Sequence, residues 1–162
     1  ACADLNLSEM LARHQLIRHS ARSHSGMQVD LHLRRLGLQP PRTLEFDTSD
    51  AIISMVASGV GMAITTPLCL LQGHAMLKEV AVLPLPGLGF LRELALLTRR
   101  EELVTLGPRI AATARRLMRE KTLPSISTIA PWMPWAYVEA MIQEGGVEAE
   151  QDAAKRQLGS AS

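Results

Sequence analysis

Three polar stretches each close an apolar run: His19-Ser20-Ala21-Arg22-Ser23-His24-Ser25, Asp47-Thr48-Ser49-Asp50 and Thr65-Thr66-Pro67. Together Ser20, Arg22, Ser23, Ser25, Thr48, Ser49, Thr65 and Thr66 offer hydroxyls and one guanidinium. Where a stretch also opens a helix, backbone N–H groups are left without intrahelical partners and attract anions. A small carboxylate suits that chemistry. The competing reading is that these residues only cap helices, and for any single one capping is an equally good account.

The remaining reactive side chains form no recognisable constellation. His14, His19, His24, His32 and His74 show no metal-ligand spacing, and no Cys-x-x-Cys accompanies them. A Gly-x-Ser-x-Gly nucleophile elbow is absent. The glycines of Gly59-Val60-Gly61 follow a helix and precede a strand, the reverse of a dinucleotide fingerprint, so they read as a tight helix-to-strand turn. The pairs Arg34-Arg35, Arg99-Arg100 and Arg115-Arg116 read as solvated faces.

The elements that must position the polar stretches follow from periodicity. A short helix is expected over 7–14, capped by Ser8, then a strand over 15–20 and a helix over 27–38 with Val29, Leu33 and Leu36 on one face. Gln39-Pro40-Pro41-Arg42 stops that helix. A strand over 43–47 leads to a helix capped by Thr48 or Ser49, with Ile52, Ile53, Met55 and Val56 as its apolar stripe and Gly59 at its end. A nearly all-apolar strand follows at 61–65, then a helical turn at 67–73, strands at 77–87 and 91–99, and a long helix at 103–120. Alternating strands and helices predict an α/β fold with a mostly parallel sheet. In such sheets ligands bind beyond the carboxyl ends of the strands, which is where all three polar stretches fall.

Composition sets the outer bounds. The 162 residues suffice for one domain or two small lobes, and with 47% hydrophobic but only 3% aromatic residues the core must be aliphatic. Net charge is +1, from 17 basic and 16 acidic residues, which is too little excess to grip nucleic acid by phosphate neutralisation. Cys2 and Cys69 are widely separated and read as the thiols of a reduced, cytoplasmic protein. The opening ACADLNLSEM does not read as an export leader, and no apolar run approaches the ~18 residues that would span a bilayer.

The segments LIRHSARS, LHLRRLGLQPPRTLEFDTSDAIISMVASGVGMAITTP, VLPLPG and RELALLTRR resemble the effector-binding region of LysR-type transcriptional regulators, over roughly residues 7–120. The run EFDTSDAIISMVASGVGMAI carries most of that likeness, through its valine-alanine-x-glycine-x-glycine turn into a strand that ends near proline.

The resemblance implies a fold like that of type II periplasmic binding proteins, with a small effector between two lobes. Residues 1–14 would be a lead-in helix, 15–90 the second lobe, 91–138 a crossover strand and a helix returning to the first lobe, and 139–162 a tail. The loop facing the cleft carries over to Ser20, Arg22, Ser23 and Ser25, and the loop beyond the glycine turn to Thr65, Thr66 and Pro67. The family's winged helix-turn-helix and the first elements of its first lobe have no counterpart here, so the reading is of a C-terminal fragment with an incomplete first lobe. DNA would be contacted only through that missing N-terminal domain. The crossing strand near 91–99 would then need cover from another chain or an exchanged segment. The expected partners are a small effector of the carboxylate kind and further copies of the chain. No cofactor, metal, membrane or catalysis is implied. The alternative is a solute-binding or enzyme-like α/β domain built on the same lobe. The aromatic stretch IAPWMPWAYVEAMIQ (129–143) suits either an interface or core filling.

Overall fold

The structure, a computed structural model, describes residues 6–87, 89–90, 94–97 and 106–144. The chain divides into two compact units, the first ending at Glu93 and the second beginning at Leu94.

In the first unit, helix α1 (Leu7–Arg13) precedes strand β1 (Leu16–His19), helix α2 (His24–Arg35), strand β2 (Leu44–Phe46), helix α3 (Ser49–Ala57), strand β3 (Met62–Ala63) and helix α4 (Pro67–Gln72). A 3₁₀ segment, His74–Glu79, follows. The three strands form one parallel sheet in the order β2-β1-β3. Ile17 pairs with both Leu44 and Ala63, which fixes the register across the sheet.

The central strand is buried along its whole length, as a strand covered on both faces must be. Leu16 packs with Leu7 of α1, Val29 and Leu33 of α2 and Ile64, and Leu85 and Phe90 close over this cluster. Ile52, Ile53 and Cys69 are buried on α3 and α4. Gly59 takes φ 74° just beyond α3, a conformation that costs a side-chain-bearing residue but not glycine.

Several expected elements differ. Asn6, not Ser8, caps α1, accepting from the Ser8 N–H at 2.9 Å. Helix α2 starts three residues before the expected 27, because Ser23 supplies the cap. The expected strand over 77–87 is absent: it begins within the 3₁₀ segment and continues as irregular chain. Pro84 and Pro86 remove the amide donors that a ladder would need. Of the expected strand over 91–99, residues 94–97 carry no strand, and the rest lie outside the described residues.

In the second unit, α5 (Leu106–Leu117) passes through a π-helical turn, Met118–Thr122, into α6 (Leu123–Ile129), and α7 spans Trp135–Glu144. The expected helix over 103–120 is therefore longer at its carboxyl end, while 103–105 lie outside the described residues. Pro124 has no N–H to give to the preceding turn, and the wide turn relieves its clash there. The Trp135 indole N–H donates to the Ala130 carbonyl at 3.0 Å, closing the carboxyl end of α6. The exposed side chains of Leu106, Ile110 and Leu117 line one face of α5.

Candidate ligand-binding edge of the sheet

Because β1, β2 and β3 run parallel, their carboxyl ends share one edge, and the loops that begin at Ser20, Asp47 and Ile64 all leave from it. The Ser20 N–H donates to the Phe46 carbonyl at 2.9 Å, continuing the β1–β2 ladder one residue past the strand.

The loop after β1 is tightly folded. Both the backbone N–H and the hydroxyl of Ser23 donate to the Ser20 carbonyl, at 2.9 and 2.8 Å. The Ser23 hydroxyl oxygen in turn accepts from the Gly26 N–H at 2.9 Å. Gly26 sits so close to β1 that a Cβ there would strike the carbonyl oxygens of His19 and Ser20. Ser23 thus spends its side chain on capping α2. Ser25 points inward and is buried, whereas Arg22 is exposed.

Along β1, neighbouring side chains serve opposite faces. Arg18 turns to α2 and pairs with Asp30 at 2.5 Å, also donating to the Pro40 carbonyl at 2.7 Å. Arg42 bridges the other Asp30 oxygen to Glu45, at 2.5 and 2.7 Å. Its hydrogen bond holds the Glu45 carboxyl below the usual carboxylate range. The other Glu45 oxygen accepts from the Ala21 N–H at 3.4 Å, so a carboxylate stands beside the first loop.

His19, the next residue, turns to the α3/α4 face, where its Nε2 lies 3.4 Å from the Thr65 hydroxyl. The Cys69 thiol stands there too. Thr66 donates to Sγ at 3.3 Å, and the Ser25 hydroxyl lies 3.9 Å away. Burial alone would push this thiol up. Hydrogen bonds from His19, Ser49, Thr66 and Thr65 outweigh it and lower the thiol to about 5, so sulfur is a thiolate at neutral pH.

Of the eight residues expected at the edge, Ser25, Ser49, Thr65 and Thr66 therefore converge on one sulfur. Ser20 lies half-buried at the end of β1, and Thr48 is the exposed N-cap residue of α3, its side chain making no capping bond. Arg22 and Ser23 do not join the cluster. His19 and Cys69 were not expected in it. Their signals were a histidine on the last residue of a buried strand and a cysteine two residues after a Thr-Thr-Pro turn. Among the described residues no three His, Cys, Asp or Glu side chains gather as metal ligands. No described helix is long and apolar enough to cross a membrane.

An open parallel α/β sheet of this kind is the build of a periplasmic-binding-protein-like fold. Residues 6–120 match the family model of the LysR substrate binding domain, and the chain belongs to that family. Domains of this family are parts of transcriptional regulators that bind small-molecule effectors. Neither a curated protein nor a solved structure matches the chain.

Proposed function

We propose that this chain is the effector-sensing module of a LysR-type transcriptional regulator, and that its effector is a small organic acid seated against the carboxyl edge of the sheet. The observation that carries this reading is the convergence of three loops, after β1, β2 and β3, on one edge where hydroxyl, imidazole and thiol groups meet. Residues 15–90 supply the second lobe of the two-lobed binding fold, and the opposite wall of the cleft comes from a first lobe.

Charge sorts the contacts within that wall. The Cys69 thiolate repels a carboxylate, so the polar, uncharged part of the effector lies over the cluster, where Ser25, Ser49 and Thr65 can share hydrogen bonds with it. The carboxylate is then left to Arg22, the one cation among the loop residues, which stands exposed at the rim. The reading is one of binding, not turnover. The regulator works in the cytoplasm, and DNA contact belongs to a separate domain. The exposed Leu106, Ile110 and Leu117 of α5 support self-association, since an apolar stripe on a helix gains by burial against another surface.

A thermal-shift panel of small carboxylates on the full chain tests this. The expected result is a rise in Tm with at least one acid, reduced by Arg22→Ala and by Ser49→Ala. A rise that survives both substitutions would place the ligand elsewhere, and no rise with any acid would remove the organic-acid reading.

A further inference from the structure

Helix α2 carries a buried histidine that the ligand-binding edge does not use. His32 is only 5% exposed, and its Nε2 is sealed from solvent without a hydrogen-bond partner among the described residues. Its ring lies 5.3 Å from that of Phe90, the planes tilted by 47°. Phe90 and Leu85 are the points at which the segment after the 3₁₀ turn packs onto the core of the first unit. That segment is also the chain's route toward the second unit, which begins at Leu94.

We infer that His32 and Phe90 form an acid-released clasp: the neutral imidazole holds the segment at Leu85 and Phe90 on the first unit, and protonation lets it go. A neutral ring in an apolar site tolerates one unpaired nitrogen. An imidazolium there would have a second N–H to satisfy and a charge without water around it. Among the described residues no carboxylate acts on it. Residues 80–90 contain no titratable side chain. From α1, Glu9 and Arg13 face solvent. From β1, Arg18 is itself a cation and is already paired with Asp30. The charged group that acts on His32 is Arg35 of its own helix, which opposes a second positive charge. Burial first, and Arg35 second, hold His32 below its ordinary value of 6.5. Release exposes the ring to water and restores the ordinary value, so opening grows by up to about tenfold per pH unit between 6.5 and the lowered value of the closed form, and levels off below it.

The chain holds two phenylalanines, Phe46 and Phe90, which makes the test direct. With 4-fluorophenylalanine incorporated, fluorine NMR of the full chain reports the clasp through Phe90 and the sheet through Phe46. Between pH 7.5 and 5 the Phe90 resonance should move to its solvent-exposed position while that of Phe46 stays. In His32→Leu the Phe90 resonance should be independent of pH. A Phe90 signal that ignores pH in the parent chain, or moves equally in His32→Leu, overturns the clasp. So does movement of Phe46 in step with Phe90, which would report global unfolding. If His32→Leu does not fold, the His32 ring titration in the parent chain decides. A midpoint below 6.5 that coincides with the Phe90 transition supports the clasp, and any other midpoint overturns it.

Discussion

The Nε2 of His19 lies 3.4 Å from the Oγ1 of Thr65, joining the last residue of β1 to the loop that follows β3. The contact exists because β1 and β3 are parallel neighbours and both chains leave the sheet at the same edge. It also reaches Cys69, since the two side chains share that sulfur as a hydrogen-bond partner with Ser49 and Thr66. A hydroxyl from the first turn of α3, two hydroxyls from the loop before α4 and a strand-end imidazole are thereby tied into one cluster, which explains why residues far apart in sequence can act as a single wall.

The first prediction concerns the sulfur. Alkylation of Cys69 by iodoacetamide, followed peptide by peptide in the mass spectrometer, should show a pH profile with its midpoint near 5. The profile should be flat from pH 6.5 upward, where a free thiol is still titrating. Thr66→Val removes a donor from the charged form and should raise the midpoint by about one unit or more. The same shift sets the sign of the stability effect. A thiol lowered from 9.0 to about 5 on folding contributes stability that is complete above pH 9 and is lost as the pH falls toward 5. Cys69→Ala should flatten that slope in urea melts taken across the range. A Cys69 midpoint near 9 would remove the thiolate.

Gly26, in the first turn of α2, provides a second prediction. A methyl group there has no space, because the His19 and Ser20 carbonyls are backbone and cannot rotate away. Gly26→Ala should therefore destabilise the first unit by about 1–3 kcal/mol, as overpacking does elsewhere. Gln28→Ala, on a half-buried position of the same helix, serves as the control and should change stability far less. Equal urea midpoints for the two variants would mean that the loop does not pack against β1 as described.

The order of elements through α4 was legible because hydrophobic periodicity, proline breaks and the glycine turn all agree over residues 7–73. The shared edge was legible too, since parallel strands send their following loops the same way. The expected strand over 77–87 failed on a local feature: alternation suggested a strand, but Pro84 and Pro86 deny it donors. Cys69 and His19 were missed for a different reason. Nothing near either residue in sequence makes a thiolate, because the groups that lower the Cys69 thiol come from β1, α3 and the loop before α4. Only the assembled sheet brings them together. Ser23 shows the converse: its type and place fitted a ligand contact, yet the structure uses its hydroxyl to cap α2.

The last prediction separates a buried ion pair from its exposed extension. Arg18 and Asp30 have side-chain exposures of 6% and 12%, whereas Arg42, which bridges Asp30 to Glu45, is 39% exposed. Removing one partner of a buried pair leaves the other charged and unsolvated, which typically costs about 3–5 kcal/mol. Asp30→Ala should lose that much in urea denaturation. Arg42→Gln should lose under about 1 kcal/mol, because exposed pairs are screened by solvent. The double variant Arg18→Met with Asp30→Leu removes both charges and fills the space with apolar atoms, so it should be more stable than Asp30→Ala alone. If Asp30→Ala and Arg42→Gln weaken the fold equally, the Arg18–Asp30 pair is not buried, and β1 is not covered on its α2 face.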